Sequence, residues 1–285
     1  MRIRQITVVG TGLIGGSLGL ALKQAGFSGD IVGCDKPDVL EVAQERGAID
    51  RADPDLQRAI AGSDVIVLAA PVGCILSQME SIAPFLSPRA LITDAGSTKQ
   101  KLAARAGELF GANAAERYLP GHPMAGKEVG GIENADANLF FNAVWLITPA
   151  DPALPFTQLQ QEYLQLLLDI GARIMVMDAE RHDRLCAWIS HLPQMIATAL
   201  ASVLREELGD DAAVSQIGGR ALREMTRIAH SPYSMWRDIA LTNTGNLEDA
   251  LLRLEQQLAE LRENLRGPGL RELFESANQF GKSRD

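Results

Sequence analysis

Cysteine, histidine and aromatic residues are scarce in this 285-residue chain, with 3 Cys, 4 His and 5% Phe, Trp and Tyr together. Cys34, Cys74 and Cys186 show no paired spacing, so neither a disulfide framework nor a zinc motif is suggested and no metal is expected. The chain starts on a strand without an apolar leader, and no apolar run of membrane-spanning length is read from it; a cytoplasmic protein with no membrane partner is expected. Positive charge is also in deficit. Against 36 Asp and Glu stand 27 Lys and Arg, and the formal net charge of −9 opposes a nucleic-acid-binding surface. What remains, 46% hydrophobic and 22% charged, suits a soluble globular protein of one large or two ordinary domains.

Against that background the glycines are concentrated. A short β-branched run, Ile3 to Val9, leads directly into Gly10-Thr11-Gly12-Leu13-Ile14-Gly15, then into an apolar helical stretch from Ser17 to Ala25. A second strand, Asp30 to Cys34, ends at Asp35. This is a strand–turn–helix–strand unit with G-x-G-x-x-G at its turn. Gly10 permits the tight turn, Gly12 lets a pyrophosphate approach the backbone, and Gly15 lets helix and strand pack closely. Leu13 and Ile14 open the helix whose N-terminus faces the phosphates. Asp35 is suited to the ribose hydroxyls and repels a 2′-phosphate, which favours NAD over NADP; Lys36 beside it weakens that preference.

The α/β alternation continues. Asp64 to Ala70 reads as a central parallel strand buried on both faces, and Ala90 to Thr93 as the next. Ala70 and Pro71 either line the dinucleotide crevice or merely carry the chain out of the sheet. Ser97 and Thr98 either cap the following helix or, for Ser97, present a hydroxyl beside the nicotinamide. The stretch from Pro120 to Gly131 packs His122 between glycines and prolines, so it is expected to be a shaped loop that brings an imidazole to a ligand. With a reference pKa of ~6.5, that side chain is a candidate acid or base. Asn142 to Thr148 and Ala172 to Met177 are the last strands expected.

From Ala179 onward only helices are read. Pro193 should kink a long helix, Ala179 to Glu207, and turn His191 towards a cavity. Arg227, His230, Trp236 and Arg237 crowd one segment, and arginine offers a fork for a carboxylate. Leu247, Leu251, Leu254, Leu258, Leu261 and Leu265 form a heptad seam, used either in the core of one subunit or at a dimer contact.

Taken in order, the glycine turn through Ser17, Asp94-Ala95-Gly96-Ser97-Thr98-Lys99, Gly121-His122-Pro123-Met124-Ala125-Gly126, Ile189-Ser190-His191-Leu192-Pro193, Thr226 to Pro232 and Met235-Trp236-Arg237-Asp238 resemble the prephenate/arogenate dehydrogenases. The resemblance implies a Rossmann-type NAD-binding domain (1–178) followed by an all-α substrate and dimerisation domain (179–285). It implies oxidative decarboxylation of prephenate to 4-hydroxyphenylpyruvate on the route to tyrosine, or the same chemistry on arogenate to give tyrosine directly. His122 is then the catalytic base and Ser97 its hydroxyl partner. Arg227 binds the substrate carboxylate, while His191, Trp236 and Ser231 line the side-chain end, Ser231 reaching towards the partner subunit of a homodimer. Two positions depart from the family pattern. Gln194 stands where relatives often carry a second histidine. Lys127 replaces a small hydroxyl residue, and either depresses the pKa of His122 or helps to hold a dianionic substrate. A β-hydroxyacid dehydrogenase would need a lysine base in the helical half, and none occurs from Ala179 to Met235. A non-catalytic NAD-binding sensor is the more remote reading.

Overall fold

A computed structural model of the chain describes residues 3–209 and 211–282. The first half of the main sheet comprises β1 (Gln5–Val9), α1 (Leu13–Gln24), β2 (Asp30–Cys34), α2 (Pro37–Glu45) and β3 (Arg51–Ala52). The second comprises α3 (Leu56–Ala59), β4 (Val65–Leu68), α4 (Val72–Ile82), β5 (Leu91–Asp94), α5 (Gln100–Phe110), α6 (Ala114–Arg117) and β6 (Tyr118–Leu119). All the pairings are parallel, in the order β3-β2-β1-β4-β5-β6. The chain therefore changes direction between β1 and β4, which leaves a crevice beyond their carboxyl ends. Every residue of β4 is buried, as an apolar strand covered on both faces must be. One apolar layer joins Ile6, Val8, Leu18 and Leu22 to Tyr163 and Leu167, and the other joins Ile66 and Leu68 to Ile75 and Met79.

The chain then leaves the first sheet and builds a second one. It contains β7 (Gly121–Pro123) and β8 (Val144–Ile147), then, after α7 (Gln158–Asp169), β9 (Arg173–Val176). β7 runs antiparallel to β8, and β8 parallel to β9. His122 thus sits mid-strand, not in the loop expected from its glycine- and proline-rich surroundings. The correction has a physical reason. β7 is an edge strand paired on one side only, where a proline's missing N–H is tolerated. Gly121 is needed beside it, because a Cβ there would stand 2.7 Å from Trp145 Nε1.

Helices follow: α8 (Ala179–Cys186), a π-helical turn (Ala187–His191), α9 (Leu192–Leu208), α10 (Ala212–Ile217), α11 (Arg220–Thr226), α12 (Tyr233–Thr242), α13 (Thr244–Glu263) and α14 (Gly269–Lys282). The chain stays helical through Pro193 because the backbone widens in the turn before it and the proline falls in the opening turn of α9. Contrary to the sequence expectation, the resulting run Ala179–Leu208 is long and apolar enough, by length and composition alone, to cross a membrane. It carries His182, Asp183 and His191, all buried and hydrogen-bonded within the protein. The leucine seam divides: Leu247 of α13 is in the core, whereas Leu258 and, just past the helix, Leu265 are bare, 56% and 58% exposed.

The two halves meet at helix N-termini. Neither α4 nor α5 has a side-chain cap of its own. Asp183 instead accepts from the Lys99 and Gln100 amides at 2.7 and 2.9 Å, and Asp238 of α12 accepts from the Gly73 amide at 3.0 Å. A carboxylate at a helix N-terminus satisfies orphan donors and opposes the positive end of the dipole. Thr98 and Thr242 add a hydroxyl contact of 2.7 Å across the same seam.

Glycine-to-alanine substitutions in and around the first turn should separate packing from access. A Cβ at Gly19 would stand 2.0 Å from the Ala48 carbonyl oxygen, whereas one at Gly12 meets nothing within 4 Å. Gly19→Ala is expected to lower the unfolding free energy by about 1–3 kcal/mol in urea titrations. Gly12→Ala should change it by no more than about 0.5 kcal/mol. Equal losses would contradict this assignment.

Candidate active site

The glycine turn divides its three positions by space. Gly10 has φ +94°, and a Cβ on it would stand 2.4 Å from the Ala69 carbonyl oxygen. At Gly15 a Cβ would come within 2.0 Å of the Gly10 oxygen and 2.7 Å of Val8 Cγ1. Gly12 alone of the three faces open space, and α1 begins there without a side-chain cap. This is a cradle in which free backbone N–H groups can face a phosphate. At the end of β2, Asp35 accepts from the Thr11 amide at 2.7 Å and from the Lys36 amide at 2.8 Å. The carboxylate is thereby fixed beside the turn with lone pairs to spare. Ala70 follows β4 and Pro71 precedes α4, directly beside the turn: the Ala70 amide nitrogen would stand 3.4 Å from a Cβ on Gly10.

Leu13 and Ile14 also line a cleft of ≈480 Å³ with Ser97, His122, Lys127, Glu128, Gln194, Ser231 and Trp236. His122 is 8% exposed at its wall. Its Nδ1 meets His182 Nε2 at 2.9 Å, and His182 Nδ1 meets Asp183 Oδ1 at 2.8 Å. The order of partners fixes the protons. An ionised carboxylate only accepts, so His182 donates from Nδ1 and is left an acceptor at Nε2. His122 must then donate from Nδ1, which leaves the lone pair of its Nε2 free to accept a proton. Burial, followed by the neighbouring His182, Lys99 and His191, holds the His122 pKa well below the usual histidine value. The imidazole is a neutral base with one nitrogen spoken for.

A second set of buried donors lies nearby. Asn243 Nδ2 donates to the Asp183 carbonyl at 2.8 Å and reaches His191 Nδ1 at 3.2 Å. That makes Nδ1 the acceptor and leaves the hydrogen of His191 on Nε2, which has no protein partner. Trp236 Nε1 is likewise buried and unpartnered, with the two rings 6.0 Å apart, edge to face. Buried N–H groups without acceptors are costly, so the pair is suited to an anionic ligand group.

Other residues lie differently from expectation. Ser97 lines the cleft and caps no helix, since Lys99 is the N-cap of α5 and Thr98 is turned to Thr242. The ammonium of Lys127 is turned away, donating to the Asn134 carbonyl at 2.9 Å with Asp136 3.5 Å off. Lys127 is therefore not the cation acting on His122; Lys99 is. Arg227 does not line the cleft but pairs with Glu128, which does. Ser231 lines the cleft of its own chain and donates to the Ile228 carbonyl at 2.9 Å. Sequence reasoning passed over His182, Asp183, Asn243 and Glu128. The scarcity of histidine was the available signal, since three of the four in the chain meet here. The His122 and His182 nitrogens and the Cys186 thiol lie within 4.8 Å of one another. The hydrogen-bond chain already engages both rings, and the adjoining Lys99 ammonium opposes a cation there.

A six-stranded parallel sheet with an open glycine turn, facing a buried neutral base at a helical domain, defines the class of two-domain dinucleotide-binding oxidoreductases. The profile of the prephenate dehydrogenase nucleotide-binding domain matches residues 18–176, and that of the prephenate dehydrogenase dimerization domain matches residues 178–279. The chain belongs to the prephenate dehydrogenase family. It is 34% identical to a prephenate dehydrogenase of Lactococcus lactis over 260 residues, 91% of this chain and 70% of that protein. The crystal structure of an A. aeolicus prephenate dehydrogenase in complex with hydroxyphenyl propionate and NAD+ superposes with a TM-score of 0.88 at 29% identity, covering 100% of this chain and 98% of that one. A Synechocystis arogenate dehydrogenase gives 0.79 at 30% identity, covering 99% and 100%.

The histidine cluster should make stability pH-dependent. Burial is the main cause holding His122, His182 and His191 below their ordinary value, His191 down to about 4. As pH falls below the unfolded value of ~6.5, the unfolded chain takes up protons that the folded chain refuses, so stability falls. Below that point each such histidine contributes a loss approaching ~1.4 kcal/mol per pH unit, down to its folded pKa. Urea unfolding at neutral pH and about one unit below ~6.5 tests this; a flat stability would refute it.

Proposed function

We propose that this chain catalyses the NAD-dependent oxidative decarboxylation of prephenate to 4-hydroxyphenylpyruvate, with residues 1–178 binding the cofactor and 179–285 completing the substrate site. The observation that carries the reading is the tautomer of His122, a buried neutral imidazole with its accepting Nε2 free at a cleft shared with the glycine turn. NAD, held at the glycine turn, would supply the acceptor for the hydride that leaves the ring carbinol carbon as it becomes a ketone. His122 Nε2 takes the hydroxyl proton at the same time, and its new charge is stabilised through His182 by Asp183. Loss of CO₂ then returns the bonding electrons to the ring, which becomes aromatic, and the ring oxygen regains its proton from His122. Ser97 is assigned to orienting the ring hydroxyl. His191 and Trp236, with their unpartnered N–H groups, are assigned to a substrate carboxylate, and Ser231 to the same end of the cleft. Arg227, paired with Glu128, adds its positive charge at the rim.

Prephenate is favoured over arogenate by charge. Among the described lining residues Glu128 is the one acid, and Arg227 already neutralises it, so no free carboxylate meets an ammonium. Asp35 favours NAD over NADP for the reason of charge already given. The bare leucines of α13 support a homodimer through the helical domain, in line with the dimerization domain matched there.

Formation of reduced nicotinamide with prephenate and with arogenate tests the reading. His122→Asn should lower kcat by ~10²–10⁴ with cofactor affinity unchanged. His191→Ala should raise KM for prephenate more than it lowers kcat. Wild-type protein inactive on both compounds would overturn the proposal.

A further inference from the structure

One charged side chain in this region has no part in the chemistry proposed above. Lys99 is completely buried, one of the largest side chains with no exposed surface at all. Its ammonium pairs with Asp94 and donates to the Gly121 carbonyl at 2.5 Å. Asp94 also accepts from Tyr118 Oη at 2.6 Å and from the Gly96 amide at 2.7 Å, the set of donors that an ionised carboxylate requires. These bonds lie at a structural corner. Asp94 ends β5, Tyr118 begins β6, and Gly121 opens the edge strand of the second sheet one residue before His122. A single ammonium therefore spans the point where the chain crosses from one sheet to the other.

We propose that Lys99 is a positioning residue for His122, whose ammonium fixes the edge strand against the first sheet and keeps a positive charge behind the imidazole, so that both the place and the charge state of the base depend on it. The inference deepens the reading of His122 as the base and rests on it. The groups facing His122 come from several elements. His182 and, beyond it, Asp183 and Cys186 lie on α8, and His191 ends the π-helical turn; Asp94 lies behind Lys99, with Lys127 and the Glu128–Arg227 pair at the rim. Of these, Lys99 is the one ammonium among the groups that lower the affinity of His122 for a proton; burial pulls its own pKa down, and the Asp94 carboxylate opposes that pull and holds the charge. Its amide is also bound by Asp183, so the same residue holds one end of the His122–His182–Asp183 chain directly and the other through the Gly121 carbonyl next to His122.

With only four histidines in the chain, ring titration by NMR can follow His122 directly, its signal identified by its absence from His122→Asn. Wild-type His122 should remain unprotonated through the mildly acidic range. In Lys99→Gln, which keeps a hydrogen-bonding side chain but no charge, its pKa should rise by about 1 unit or more. Tyr118→Phe removes a bond from the same cluster without removing charge and should leave the titration where it was. Should Lys99→Gln fail to fold because Asp94 is left unpaired, Lys99→Met combined with Asp94→Asn removes both charges together and should still raise the His122 pKa. An unchanged His122 titration in a folded Lys99 variant, or failure of the neutral pair to fold as well, would overturn the proposal and leave Lys99 a purely structural residue. The measurement needs no turnover. Inactivity of the wild type on both prephenate and arogenate would instead withdraw the reaction.

Discussion

The Asp183 carboxylate is the interaction on which the rest of this structure depends. One oxygen meets His182 Nδ1 and the Lys99 amide, and the other meets the Gln100 amide. The first bond sets the tautomer of two histidines in series. The other two cap a helix belonging to the opposite half of the molecule. A charge taken out of water is tolerable only when its lone pairs are filled by well-placed donors, and here three N–H groups fill them. The consequence is that docking of the two halves and preparation of the base are one event. A helix end left uncapped in the first half is completed by the residue that organises the imidazoles in the second.

The neighbouring buried groups follow the same rule, one layer deeper. Asp94 is satisfied by Lys99, Tyr118 and a backbone amide, and Asn243 bridges Asp183 to His191. Beside this network His191 Nε2 and Trp236 Nε1 are buried without a protein partner, as is Trp145 Nε1 against Gly121. Trp236 lines the cleft and His191 stands behind it, edge to face, so these two donors are the unpaired ones set nearest a ligand's own acceptors.

Much of this was legible in the sequence, for reasons that differ by residue. The dinucleotide half was readable because its signals are local. A glycine turn between a β-branched run and an apolar helix, followed by Asp35, states its geometry within some thirty residues. The helical half was readable as helix, because the periodicity is strong. What was not legible depended on distance along the chain. His122 was taken for a loop residue because glycine and proline argue against a strand, and only pairing with β8 shows that an edge position tolerates them. His182 and Asp183 stand sixty residues away in a polar helix start that looks like ordinary solvated surface. Lys127 lies near His122 in sequence, yet in the folded chain its ammonium is held by the Asn134 carbonyl, and Lys99 is the ammonium that acts on His122. Neighbourhood in sequence was a poor guide to neighbourhood in charge.

The π-helical turn at Ala187–His191 has a consequence beyond easing the passage to Pro193. A residue added to a helix rotates everything after it by about 100°. The extra residue in this turn therefore places α8, with His182 and Asp183, and α9, with Gln194, out of phase on what is otherwise one rod. The face that meets the first domain and the face that lines the cleft are set by the length of that turn as much as by the side chains on it. Between relatives, a single-residue insertion or deletion there would re-aim the whole substrate wall while leaving every residue type in place. The shape of the cleft is, in that sense, recorded in a count of residues.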